Sequence, residues 1–108
     1  LMILSHSPKI AEGIRDLALE MAQGAEIVAV GGTNDGRLGA DFDATYAAME
    51  AAAQNGEVLV LADLGSTRMT AQMALEALED DLKEKVFLND AALVEGSVIA
   101  AISVAAGV

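Results

Sequence analysis

Short runs of apolar residues alternate with longer amphipathic stretches along this chain of 108 residues. The apolar runs are rich in Leu, Ile and Val, and they cover Leu1–Leu4, Ile27–Val30, Val58–Ala62 and Val86–Leu88. Runs of this length and composition are typical of buried strands. Each run is followed by apolar residues at helical spacing, so the pattern predicts the order β-α-β-α-β-α-β-α.

The first predicted helix has recognisable residues at both ends. Its apolar residues at helical spacing share one face: Ile10, Ile14, Leu17 and Met21. Ser7 can cap this helix, Pro8 suits its first position, and Gly24 ends it. Met21 is expected in the core.

The second and third helices follow the same logic. Apolar residues of the second helix recur at Phe42, Tyr46, Met49 and Ala53. Asp41 is its expected cap and Asn55-Gly56 its expected stop. The third helix begins at about Ser66 or Thr67. Its inward residues are expected to be Leu75, Leu78 and Leu82.

Strands that alternate with helices of this length predict an α/β fold. The strands should form a parallel sheet covered by helices on both faces, which makes three layers. Because crossover connections are right-handed, a doubly wound four-stranded sheet with the order 2-1-3-4 is favoured. Residues 1–108 are expected to form a single domain.

The fourth helix, from about Val94 to Ala106, is apolar around its whole axis. A helix of this kind needs burial on every side, and one face of a small domain does not supply it. A second copy of the chain would cover it, which predicts a homodimer. An Ala-rich helix half exposed in a monomer is the alternative. A membrane span is disfavoured because the stretch is built of Ala, Gly and Ser, contains Glu95 and has no flanking Lys or Arg.

The formal net charge of −11 excludes several partners. Nucleic acid is a poor partner because neutralising phosphates requires clustered basic side chains. The six basic residues are scattered: Lys9, Arg15, Arg37, Arg68, Lys83 and Lys85. The chain has no cysteine, which excludes disulfides and thiolate metal sites. With no basic and apolar leader at its start, a cytoplasmic location is expected.

His6 is the only histidine, and it directly follows the first predicted strand. Asp63 directly follows the third. In the order 2-1-3-4, these strands border the crevice in which open α/β sheets place their ligands. A carboxylate that accepts from one imidazole nitrogen leaves the other free as a nucleophile. His6 and Asp63 are therefore the candidate catalytic pair. A surface histidine beside a helix-capping aspartate is the alternative.

A glycine-rich loop follows the second strand, from Gly31 to Gly39. Its backbone N–H groups could approach an anion closely, and Arg37 could add a fork of donors. An ordinary long loop with turn glycines is the alternative. The candidate phosphate-binding residues are Ser7, Gly32, Thr33, Arg37 and Ser66. The chain lacks a Walker A motif, a dinucleotide fingerprint after the first strand and a histidine pair, so neither a metal nor a cofactor is expected.

Five segments follow one recognisable pattern in order. They are Ile3-Leu4-Ser5-His6-Ser7, Ala11-Glu12-Gly13, Gly31-Gly32-Thr33 with Asp35-Gly36-Arg37-Leu38-Gly39, Asp63-Leu64-Gly65-Ser66, and Leu93-Val94-Glu95-Gly96. Together they resemble the DhaM family, the phosphocarrier subunits of phosphoenolpyruvate-dependent dihydroxyacetone kinases. The core of that family is similar to the mannose-type enzyme IIA domain of the phosphotransferase system. The resemblance covers nearly the whole chain.

The resemblance implies a phosphoryl relay. His6 matches the histidine that takes a phosphoryl group from the carrier HPr, and Asp63 matches the aspartate that orients it. The group then passes to ADP held by a DhaL-type subunit, which serves dihydroxyacetone phosphorylation. The family is typically homodimeric, in agreement with the argument from the fourth helix. Longer members carry appended HPr-like and enzyme I-like domains, so separate carriers are expected here.

Two other functions stay open at the level of sequence. One is a mannose-family IIA component that feeds a sugar transporter. Such relatives usually have a bulkier loop after the third strand that ends in Ser-Pro, whereas Thr67 follows Ser66 here. The other is a non-catalytic module that senses a small ligand in the crevice. It predicts that His6 is never phosphorylated.

Overall fold

The computed structural model describes residues 1–33, 38–63, 65–89 and 93–106. Strands and helices alternate along these residues. In chain order they are β1 (Met2–Ser5), α1 (Pro8–Met21), β2 (Val28–Gly31), α2 (Phe42–Gln54), β3 (Val58–Ala62), α3 (Gly65–Ala77), α4 (Asp80–Lys83), β4 (Val86–Asn89) and α5 (Leu93–Ala105).

The strands form one parallel sheet in the order β2-β1-β3-β4. In the register of the sheet, Ile3 of β1 lies opposite Ala29 of β2 and Leu61 of β3. Helices α1 and α5 pack together on one face of the sheet, and α2 and α3 on the other. The predicted α/β fold, its three layers and its strand order are confirmed. The order reverses between β1 and β3, so their carboxyl ends border a crevice.

The larger apolar core lies between the sheet and the α2–α3 layer. It combines Met2, Leu4 and Val60 of the sheet with Met49 of α2 and Leu78 just after α3, each at most 4% exposed. Burying a side chain of this size stabilises the fold by roughly 1.5–3 kcal/mol. Asp41 caps α2 as expected, since its carboxylate accepts hydrogen bonds from two backbone N–H groups.

The opposite layer is packed through small side chains. Ala18 and Ala22, at the end of α1, contact Ala101 of α5, and all three are almost fully buried. Of the apolar residues expected on one face of α1, only Ile14 is buried. Met21 is 58% exposed, so its expected place in the core was wrong. Because alanines let two helices approach closely, the alanine side of α1 faces inward and its larger residues turn outward.

The predicted third helix is divided in the structure. Helix α3 ends at Ala77, Glu79 has extended backbone angles, and the short helix α4 then begins at Asp80. Glu76 and Asp80 would stand four residues apart in a continuous helix, where like charges repel. After the break, Asp80 and Asp81 lie in the first turn of α4, where negative charge is favourable. Leu78 is buried as expected.

Helix α5 is apolar but not buried on all sides. Ser97 and Ala101 are fully buried, whereas Ile99 is 66% exposed and Ile102 is 45% exposed. The exposed side of this helix therefore carries large apolar residues. Among the helices that the structure describes, none has the length and hydropathy needed to cross a membrane.

Candidate functional site

The connection between β1 and α1 is only two residues long, and it carries His6. Ser7 has extended backbone angles and caps α1, because its hydroxyl oxygen accepts a 3.3 Å hydrogen bond from the N–H of Ile10. Pro8 occupies the first turn, where its missing N–H costs nothing. The cap fixes where α1 begins. His6 is thereby held at the carboxyl edge of the sheet.

His6 and Asp63 meet across the end of the sheet, as the sequence predicted. The Nδ1 atom of His6 lies 2.7 Å from Oδ2 of Asp63. The backbone N–H of His6 also points at this carboxylate, 3.2 Å from Oδ2 and 3.3 Å from Oδ1. The side chains are 27% and 14% exposed, respectively, so the pair is partly shielded from water. The backbone of Asp63 is fixed as well, since its N–H donates to the carbonyl oxygen of Leu4.

The geometry determines which nitrogen of His6 can react. An ionised carboxylate only accepts hydrogen bonds, so the proton between the two groups belongs to Nδ1. In the neutral ring, a proton on Nδ1 leaves the lone pair on Nε2. Nε2 is therefore the ring nitrogen that could act as a nucleophile in this arrangement.

Ser5, the last residue of β1, also binds Asp63. Its hydroxyl donates to Oδ2 at 2.6 Å and accepts a 3.1 Å hydrogen bond from the backbone N–H of Ser7. Ser5 belongs to the first motif of the sequence but was not among the predicted site residues. The contact between Ser5 and Asp63 could have been inferred from the expected sheet. Leu4 pairs with Ala62, so the residues that follow them, Ser5 and Asp63, lie side by side.

The glycine-rich loop is hydrogen-bonded near both of its ends to the end of β1 and to the residue that follows it. Gly32, with a positive φ of 74°, donates its N–H to the carbonyl oxygen of Ser5 at 3.3 Å. Gly39 donates to the carbonyl oxygen of His6 at 2.7 Å. Thr33 is half-buried beside this attachment. Arg37 lies outside the described residues. The N–H of Gly32, which was expected to face an anion, is therefore used within the protein.

The two predicted serines stand at the starts of different helices. Ser7 is buried at the beginning of α1, and Ser66 is exposed in the first turn of α3. Both helices follow strands of a parallel sheet, so their amino ends, with their outward N–H groups, lie at the edge that carries His6. Farther along α3, the guanidinium of Arg68 donates to the carbonyl oxygen of Asn89 at 3.4 Å.

Two further observations bear on ligands. Among the described residues, no group of three or more His, Cys, Asp or Glu side chains could hold a metal ion. A cleft of about 540 Å³ lies between the sheet and α5, on the face that α5 covers. Its apolar walls include Leu59, Phe87 and Ile99, and none of the residues of the His6–Asp63 site lines it. The cleft and the His6 site are separate features.

Comparison with known proteins places the chain in a family. Residues 1–107 match the EIIA-man family, described as the PTS system fructose IIA component. The phosphoryl donor subunit DhaM of a phosphoenolpyruvate-dependent dihydroxyacetone kinase from Listeria innocua is 36% identical over 103 residues, which cover 94% of this chain and 82% of that protein. The corresponding subunit of Lactococcus lactis is 33% identical over 107 residues, covering 99% and 83%.

A solved structure and a longer relative complete the comparison. The crystal structure of EF1359, a protein of unknown function, superimposes with a TM-score of 0.88 at 36% identity, covering 99% of this chain and 82% of that one. The DhaM subunit of Escherichia coli is 37% identical over 111 residues, but the chain spans only 24% of its length. The chain therefore belongs to the mannose-type enzyme IIA family and, within it, to the DhaM phosphoryl donor subunits.

Proposed function

We propose that this chain is a phosphohistidine carrier in which His6 receives and releases a phosphoryl group through Nε2. The observation that supports this most directly is the 2.7 Å contact between Nδ1 of His6 and Oδ2 of Asp63. It holds the proton on Nδ1 and leaves the lone pair of the neutral ring on Nε2. The ring is partly exposed, so a donor protein can reach it.

The transfer consists of two displacements. In the first, Nε2 attacks the phosphorus atom of a phosphohistidine on the donor, so that a P–Nε2 bond forms as the P–N bond to the donor breaks. The phosphorylated ring keeps its proton on Nδ1 and becomes cationic, and the Asp63 carboxylate stabilises that charge. In the second, an oxygen of the acceptor attacks phosphorus and the P–Nε2 bond breaks. Such transfers depend on positioning and charge stabilisation.

Groups around His6 would bind the phosphoryl oxygens. We assign this role to Ser7, Thr33 and Ser66, and to Arg37 on the sequence alone; Gly32, also expected there, already donates its N–H to the carbonyl oxygen of Ser5. The hydroxyl of Ser66 is exposed at the start of α3, and the Ser7 hydroxyl still has its own proton to donate while it caps α1. The amino ends of both helices add positive potential against the net charge of −11.

The relatives support the partners that the resemblance of the sequence implies. Several curated relatives are named as phosphoryl donor subunits of phosphoenolpyruvate-dependent dihydroxyacetone kinases. We therefore assign HPr as the donor and ADP on a DhaL-type subunit as the acceptor. Because the family is described as a fructose IIA component, a sugar-transporting system is the alternative acceptor.

The exposed side of α5 supports a homodimer. Ile99 and Ile102 are large apolar residues that a monomer leaves in water. A second copy that packs against this surface would bury them. The site residues Ser5, His6 and Asp63 are held together by contacts within one chain, so dimerisation would leave each site intact.

The test is intact mass after incubation with enzyme I, HPr, Mg²⁺ and phosphoenolpyruvate. One phosphoryl adduct is expected on the wild type and none on His6→Ala. The isolated phosphoprotein is then mixed either with a DhaL-type subunit and ADP or with a sugar-specific acceptor domain. Discharge to the first alone supports the dihydroxyacetone kinase relay. If the wild type forms no adduct while a control carrier is phosphorylated, the chain is not a phosphocarrier and a ligand-sensing role is favoured.

A further inference from the structure

We propose that Ser5 is a positioning residue for phosphoryl transfer, which acts on His6 through the carboxylate of Asp63. The inference rests on the proposed function of His6 and adds a third residue to its site. Ser5 does not touch the transferred group. Its role is to fix which oxygen of Asp63 faces the imidazole and to keep that oxygen ionised.

The surroundings of Ser5 determine the direction of its hydroxyl proton. The residue is 2% exposed, so water does not compete for its hydrogen bonds. The oxygen atom accepts the N–H of Ser7 at 3.1 Å. Its single proton is then donated to Oδ2 of Asp63 at 2.6 Å, which is short, as expected for a hydroxyl on a charged oxygen.

The same oxygen of Asp63 serves both neighbours. Oδ2 accepts the hydroxyl of Ser5 at 2.6 Å and Nδ1–H of His6 at 2.7 Å. A donor on a carboxylate oxygen stabilises the ionised form and lowers the affinity of that oxygen for a proton. With Ser5 in place, the shared proton stays on Nδ1. Nε2 then keeps its lone pair before attack, and the cationic phosphorylated ring faces a full negative charge.

The backbone couples this contact to the position of the ring. Ser5 accepts from Ser7, which caps α1, and the backbone N–H of His6 donates to the same carboxylate. The carboxylate is thus held from three directions by residues of one short segment. Removing the Ser5 hydroxyl leaves Asp63 free to rotate and leaves the N–H of Ser7 without its acceptor. The expected effect is a misplaced ring with a weakened preference for the Nδ1–H tautomer.

The experiment compares Ser5→Ala with Ser97→Ala. Ser97 is also a fully buried serine on α5, but its hydroxyl has no hydrogen-bond partner among the residues that the structure describes. Initial phosphorylation rates are measured against HPr concentration, and the ring nitrogens of unphosphorylated His6 are followed by ¹⁵N NMR as a function of pH. For Ser5→Ala, kcat is expected to fall about ten- to a hundredfold, the range that follows from losing a hydrogen bond to a charged group. KM for HPr should be unchanged.

The NMR measurement separates positioning from simple destabilisation. Ser5→Ala should raise the fraction of neutral His6 that carries its proton on Nε2, whereas Ser97→Ala should match the wild type in both rate and tautomer. Ser5→Thr, which keeps the hydroxyl, should restore most of the rate. If Ser5→Ala does not fold, Ser5→Cys replaces it, and its weak S–H donor should give a smaller effect in the same direction.

The outcomes distinguish this inference from the function on which it rests. If the wild type is phosphorylated and Ser5→Ala has the same kcat and tautomer, Ser5 is not a positioning residue, although the carrier function stands. If the wild type forms no adduct, the carrier function fails. The tautomer of resting His6 then still decides whether Ser5 positions the pair. An equal loss of rate in Ser5→Ala and Ser97→Ala, with no change of tautomer, would show a structural effect only.

Discussion

Gly31 and Ser7 lie so close together that a side chain at position 31 has no room. A Cβ atom built on Gly31 would be 2.5 Å from the carbonyl oxygen of Ser7 and 2.8 Å from Cα of Pro8. These are backbone atoms, which cannot relieve the clash by a change of rotamer as a side chain can. The end of β2 therefore supports the segment that carries His6, and a glycine is required there for steric reasons.

The substitution Gly31→Ala should damage both the fold and the site. It forces the backbone at Ser7 to move, and overpacking of this kind costs about 1–3 kcal/mol of unfolding free energy. A shift of Ser7, the cap of α1, also moves the adjacent His6, so the phosphorylation rate should fall as well. Gly13→Ala is the matched control, because Gly13 lies within α1 with nothing near its Cβ position. It should stabilise the protein by about 0.5–1 kcal/mol. Urea denaturation of both variants provides the measurement, and equal stabilities would contradict the steric argument.

Replacing the carboxylate of Asp63 by an amide tests how His6 is oriented. In Asp63→Asn, one oxygen and one NH₂ group face three donors: the Ser5 hydroxyl, the His6 N–H and the His6 Nδ1–H. They cannot all be satisfied, and the negative charge opposite the phosphorylated ring is lost. Phosphorylation should slow by about two to four orders of magnitude, as expected where a carboxylate fixes a histidine tautomer.

A control for that substitution is available on α1. Asp16 is exposed, and its carboxylate lies 3.8 Å from Arg15 in a weak surface pair. Asp16→Asn changes the net charge by the same amount as Asp63→Asn and should leave the phosphorylation rate unchanged. Quantified phosphohistidine at early times gives both rates. Similar losses in the two variants would mean that net charge, and not orientation of His6, governs the reaction.

The pKa of Tyr46 depends on its contact with Glu50 on the surface of α2. Its hydroxyl donates to the carboxylate of Glu50 at 3.1 Å, and that hydrogen bond is the main cause that raises the pKa of Tyr46 above its ordinary value near 10. Since the chain has one tyrosine and no tryptophan, absorbance of the phenolate follows this group alone. Glu50→Gln should lower the pKa of Tyr46. Glu79→Gln, at a minor charge contact, should lower it less. An unchanged titration in Glu50→Gln would contradict the contact.

The sign of the linkage follows from the direction of this shift. A pKa that is raised by folding means that the unfolded chain loses the Tyr46 proton first. The stabilising contribution is therefore complete below pH 10 or so and is lost as the pH rises through the pKa of the folded protein. Unfolding measured at increasing alkaline pH should show this loss in the wild type and a smaller one in Glu50→Gln.

The sequence predicted most of the fold because its strands and helices are strongly patterned. The same pattern placed His6 and Asp63 together, since both follow strands that are neighbours in the order 2-1-3-4. Ser5 was missed for a physical reason. A serine that ends a strand is an ordinary boundary residue, and its role depends on the register that puts Leu4 beside Ala62. The register between two strands is a property of the assembled sheet, and neither strand shows it in its own sequence.

The buried faces of the helices were less predictable than the helices themselves. Periodicity identified α1 through its large residues, but the helix is packed through Ala11, Ala18 and Ala22, and Leu17 is 45% exposed. Close helix packing selects small residues, which hydrophobicity alone ranks below Leu and Met. The apolar residues that remain outside, on α1 and α5, indicate where another molecule could bind.

The oligomeric state can be tested at the exposed apolar residues of α5. If two copies pack against each other there, the wild type should have twice the 11.0 kDa mass of one chain in sedimentation velocity. In a symmetric interface, Ile99→Asp places two charges in the contact and removes two buried side chains, each worth about 1.5–3 kcal/mol. The dimer dissociation constant should therefore rise by at least about a hundredfold. Met73→Asp, at a similarly exposed residue of α3, should leave the mass unchanged. A monomeric wild type would exclude the dimer, whereas dissociation by Met73→Asp alone would move the interface to the α2–α3 face.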